Sequence, residues 1–144
     1  MNSLMRIARA SLTGVVVAGV FALVGCMGMG GGASQLMLTG DQEVPPVSTA
    51  ASGSGTIMVN ADKSVSGSIT TSGVTAIAAH IHTGAPGQNG PVIVPLTQNG
   101  STWSVPAGAK LTDAQYDLYK AGHLYVNVHS AANKGGEIRA QLKP

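Results

Sequence analysis

Four histidines carry most of the chemistry available to this chain, and the spacing of two of them matters first. In Ala78-Ala79-His80-Ile81-His82 the residues alternate, so on a β-strand both imidazoles fall on one face and Ile81 on the other. At about 3.3 Å per residue their Cα atoms stand about 7 Å apart, near enough for two rings to converge on one metal ion with bonds of about 2 Å. In His123-Leu124-Tyr125-Val126-Asn127-Val128-His129, the apolar Leu124, Val126 and Val128 face one way while His123, Tyr125, Asn127 and His129 face the other. His123 and His129 are then about 20 Å apart, so at most one of them joins the His80 and His82 pair. Imidazole nitrogen suits copper and zinc, and three histidines with an open fourth position are also the donor set of catalytic metal centres. The same pattern arises where histidines on a half-exposed sheet face only hydrogen-bond to neighbours such as Tyr125 and Asn127. Coordination by neutral imidazole separates the two readings, because its affinity falls steeply below pH about 6.5.

Around this set stand side chains that would complete a metal site or hold its rings: Glu43, Asn127 and Glu137. Taken alone, Glu43 is read as structural. Asp41-Gln42-Glu43 runs into Pro45-Pro46, which suggests an extended edge unable to donate to a ladder. Glu137 and Arg139 share the polar face opposite Ile138, Ala140 and Leu142, as a solvated strand face or a cross-strand ion pair would. Thr83 to Pro91, TGAPGQNGP, has the glycines of a phosphate loop but no lysine and no following helix, so it reads as a turn between strands. No G-x-S-x-G elbow marks a serine hydrolase.

The elements that must position these residues are mostly strands. Short alternating or β-branched runs occur at Gln35 to Leu38, Gly55 to Val59, Val65 to Thr70, Ala76 to His82, Val92 to Leu96, Leu124 to His129 and Glu137 to Leu142, with turn residues between them. The pattern predicts an all-β domain, an antiparallel β-sandwich or Greek-key barrel of about seven or eight short strands. One connecting helix is expected: Thr112 caps it, Gln115 follows three residues later, Asp113 to Ala121 is free of Gly and Pro, and Gly122 stops it. Aromatic side chains are scarce, so the core falls to Val, Ile, Leu, Met and Ala.

The N-terminus has the layout of a secretory signal. Arg6 and Arg9 precede an apolar stretch from Leu12 to Val24, about 13 residues against the roughly 20 a spanning helix needs. Leu23-Val24-Gly25-Cys26 resembles the bacterial lipobox, which implies cleavage before Cys26 and acylation of its thiol. The chain's lone cysteine then forms no disulfide. Met27 stands where an aspartate would resemble an inner-membrane retention signal, which favours the outer membrane. The expected organisation is a signal peptide at 1–25, lipidated Cys26 with a Gly-rich tether at 26–34, and one β domain at 35–144 in the periplasm or outside the cell. Without Arg6 and Arg9 the remaining basic and acidic residues balance at six each, so no basic stripe argues for DNA or RNA.

Four blocks in order resemble the CHRD domain, named after chordin and found in many bacterial secreted proteins: Leu38-Thr39-Gly40-Asp41-Gln42-Glu43-Val44-Pro45-Pro46; Ala79-His80-Ile81-His82-Thr83-Gly84 with Gly87-Gln88-Asn89-Gly90-Pro91-Val92; Leu124-Tyr125-Val126-Asn127-Val128-His129-Ser130; and Gly135-Gly136-Glu137-Ile138-Arg139-Ala140-Gln141-Leu142. Ser130 and Lys134 depart from a family pattern that has threonine after the last histidine and proline in the following turn. His123 lies outside the blocks, so the resemblance selects His129 as third ligand. It implies a binding or structural module; with the lipobox and the histidine pattern, the expectation is a tethered module for an extracytoplasmic protein, polymer or metal ion, with copper or zinc at His80, His82 and His129. A looser resemblance to copper-zinc superoxide dismutase, a sandwich with an H-x-H strand, implies the alternative of a small copper enzyme acting on superoxide. Only His123 remains beyond these three, so the dismutase's bridging histidine and separate zinc site cannot both be built.

Overall fold

The computed structural model describes residues 32–144; the signal peptide, Cys26 and the tether as far as residue 31 lie outside the described residues. Among the described residues nine strands form two antiparallel sheets. The first holds β1 (Gly32–Leu38), β2 (Ser52–Val59), β3 (Val65–Ser72), β7 (Thr102–Ser104) and β6 (Thr97–Asn99), in that spatial order. The second holds β5 (Val92–Pro95), β4 (Ala76–Thr83), β8 (Leu124–Ser130) and β9 (Ile138–Gln141). Leu36, Leu38, Ile57 and Ile69 of the first sheet share one core with Ile81, Leu124, Val126, Val128 and Ile138 of the second, which makes the domain a sandwich. Full burial of each such side chain stabilises by about 1.5–3 kcal/mol.

Every run expected to form a strand does so in part, and β1 begins inside the stretch read as tether, with Gly32 opposite Val59. The short β6 and β7 were not expected; they bring Trp103 into the core. Methionine contributes less to that core than composition suggests, since Met37 is 61 % exposed and Met58 only partly buried. The helix α1 (Asp113–Lys120) carries the capping box foreseen for Thr112 and Gln115. Among the described residues no helix is long and apolar enough to cross a membrane.

Residues 40–51 form no edge strand. Gly40–Gln42 make one 3-10 turn and the chain then crosses toward β9, where Thr49 Oγ1 donates to Glu137 Oε1 at 2.8 Å. The loop 84–91 between β4 and β5 lies over the same outer face of the second sheet, and Asn89 Nδ2 ties it to the Val44 carbonyl at 2.6 Å. These two covering segments turn a face that alternation marks as polar into a largely buried one.

Candidate metal centre

Two ranks of side chains cross that outer face. His80 lies opposite Asn127, which lies opposite Arg139; His82 lies opposite Tyr125, which lies opposite Gln141. His129 is one step further along β8, opposite Ala78 and diagonal to His80. Between Ile81 and His82 the register with β5 slips by one residue, and the extra residue belongs to β5; the slip of β4 against β8 falls earlier, between Ala76 and Ala78, so both histidines keep one face. The parity expected for His80, His82, Tyr125, Asn127 and His129 therefore holds.

The three rings meet. One ring nitrogen from each lies within 4.8 Å of the others, and among the described residues no carboxylate or thiol joins this group. A tetrahedral ion with bonds of about 2.0–2.1 Å holds its nitrogens about 3.4 Å apart. The rings must therefore close by about an ångström to share one ion. His123 stays apart, bonded through its backbone to Leu118 and Gly84.

Hydrogen bonds fix what two of the rings can offer. His82 Nδ1 lies 2.9 Å from the Gly90 carbonyl and His129 Nδ1 lies 2.9 Å from the Lys134 carbonyl. A carbonyl only accepts, so each Nδ1 carries the proton and, in the neutral ring, each Nε2 presents a lone pair. His82 Nε2 is buried beside the Asn127 side chain and makes no hydrogen bond of good geometry among the described residues. His80 Nδ1 sits 3.0 Å from His129 Nε2, which makes it the donor there. An ion taken up between these rings would require His80 to move that proton to its other nitrogen, and His80 is exposed enough for water to receive the new N–H. Burial, then the His129 charge, then the His82 charge hold His80 below the usual imidazole pKa. His82 is also lowered, by burial first, against the opposing pull of its Gly90 bond. Both rings are thus kept neutral, as coordination requires.

Arg139 is neither on a solvated face nor in a cross-strand ion pair. It is 1 % exposed, its Cζ lies 3.5 Å from the centroid of Tyr125, and it donates to the carbonyls of Ala85 and Gln88 and to Asn89 Oδ1 and Gln141 Oε1. The Tyr125 ring is shared: His82, opposite it on β4, stacks on it at 4.8 Å and 7°, and Arg139 reaches it diagonally from β9. Glu137 instead bonds Thr49, and hydrogen bonds from Ser130 and Thr49 hold its carboxyl below the usual range. Glu43, expected on an extended edge, is buried beside Asn127 and Arg139. Burial raises its pKa from 4.5 to about 7 although Arg139 and Asn127 pull it down.

Residue types alone did not reveal the Gly90 and Lys134 carbonyls as ring anchors, because backbone groups leave no letter in a sequence. A signal was nonetheless there in Gly90 and Gly136. A Cβ on Gly90 would strike the Thr83 carbonyl, and one on Gly136, at φ 134°, would strike Glu43 and Asn127.

No curated protein and no solved structure matches the chain. A family model, the CHRD domain, matches residues 34–142, which takes in the sandwich, both covering segments and all three converging histidines. The chain belongs to the CHRD domain family.

Proposed function

We propose that the chain is an extracytoplasmic binding module, held to the bacterial envelope by a lipid on Cys26, that takes a copper or zinc ion at His80, His82 and His129. The observation that carries this reading is the buried Nε2 of His82, which makes no hydrogen bond of good geometry, in a ring whose other nitrogen is pinned to a carbonyl. An orphaned acceptor in a buried place costs about 1–3 kcal/mol, and a ligated histidine is characteristically held by a second bond from its other nitrogen. His129 repeats that arrangement through Lys134.

Titration of the purified chain with zinc(II) and copper(II), beside His80→Ala, His129→Ala and His123→Ala, tests the site. One ion per chain is expected, with affinity reduced about 100-fold or more by the first two substitutions and unchanged by the third. Binding that survives both would make the histidines structural and turn the search to a protein or polymer partner. Copper-loaded protein that also consumed superoxide would make the domain an enzyme. For the anchor, Cys26→Ala is expected to release the protein from the membrane fraction; retention there would refute acylation as the tether.

A further inference from the structure

Three neutral imidazoles bring no negative charge to the site, while Arg139 puts a buried cation in line with His80, across Asn127. A dication added to this covered face meets repulsion that a low-dielectric surrounding screens weakly. Glu43 is the carboxyl placed to answer it. The segment 40–51 carries it over the sheet so that Arg139 of β9 and the Asn127 amide of β8 flank it, with His82 of β4 on the far side of that amide. Its Oε1 is buried and makes no hydrogen bond of good geometry. Glu137, the other acid on this side, is held by Thr49, Ser130 and Asn133. A cavity of about 430 Å³, lined by Asp41, Gln42, Glu43, Pro86 and Arg139, leads from Glu43 to the surface.

Resting on the histidine reading, we propose that Glu43 is the charge-compensating residue of the site: it gives up its carboxyl proton when a dication binds, and so makes the site prefer zinc(II) or copper(II) over copper(I). The Glu43 O–H bond breaks, the proton leaves to water through the cavity, and the carboxylate stays between Arg139 and Asn127. Near neutral pH that ionisation is easy, because burial has already brought the group to its midpoint of about 7. Coulomb attraction scales with ionic charge, so losing the carboxylate costs a dication twice as much, on a logarithmic scale, as a monocation.

The test compares wild type with Glu43→Gln, which keeps shape and hydrogen bonding. At pH 7.5 the substitution is expected to lower zinc(II) affinity about ten-fold or more, and anaerobic copper(I) affinity by about the square root of that factor. A second readout needs no variant: in infrared difference spectra at pH 6.5, the C=O stretch of a protonated carboxylic acid should vanish as zinc(II) is added to wild type. Metal uptake with equal affinities in wild type and variant, or with no loss of that band, overturns the role of Glu43 and leaves the histidine site standing. Uptake of neither ion by wild type overturns both.

Discussion

At the scale of single residues, Tyr125 shows how one side chain serves two neighbours. Its ring is 2 % exposed and lies between the His82 imidazole and the Arg139 guanidinium, and its hydroxyl accepts from the Gly90 N–H at 3.2 Å. The stack sets the tilt of His82, while the hydroxyl holds the residue whose carbonyl fixes the His82 tautomer. These two duties are separable. Tyr125→Phe keeps the stack and leaves a half-buried N–H without its partner, so a loss of about 1–3 kcal/mol in urea unfolding is expected. Zinc affinity should change far less than in Tyr125→Leu, where the planar partner is gone. Equal affinity losses in the two variants would mean that the hydroxyl, not the ring, positions His82.

At the scale of elements, the legible parts were those written in local rules. Strand alternation placed His80, His82 and His129 on one face, because period-two geometry depends on nothing distant. The helix was equally plain, since Thr112 and Gln115 form their capping box within one turn. Arg139 was misread for the opposite reason. Its alternation with Ile138 and Ala140 is that of an ordinary exposed face, and its burial comes from loop 84–91, whose carbonyls it binds from 51 to 54 residues away in sequence. Glu43 was hidden in the same way: its neighbours Asn127 and Arg139 belong to strands at the other end of the chain. The three-residue β6 and β7 are too short for any period to register. A sequence thus declares which face a side chain occupies, but not what a distant loop lays over that face.

At the scale of the whole molecule, covering the polar face gives the fold two opposed responses to pH. Folding raises the Glu43 pKa from 4.5 to about 7, so the folded chain holds a proton that the unfolded chain has released. That stabilisation is complete below about 4.5 and is lost as pH rises through about 7. His80 and His82 act the other way: their pKa values are lowered on folding, the unfolded chain takes up protons that the folded one refuses, and stability falls as pH drops below the usual imidazole value of 6.5. The two slopes oppose each other through the neutral range, because the unfolded chain's histidines are still half protonated at pH 6.5, and Glu43→Gln removes only the first slope. Relative to Glu43→Gln, the metal-free wild type is therefore expected to lose about 1 kcal/mol of stability between pH 6.5 and 8. Urea unfolding across that interval measures it directly. A difference between the two curves that stays flat or rises with pH would mean that Glu43 is already charged at pH 6.5, and that Arg139 prevails over burial.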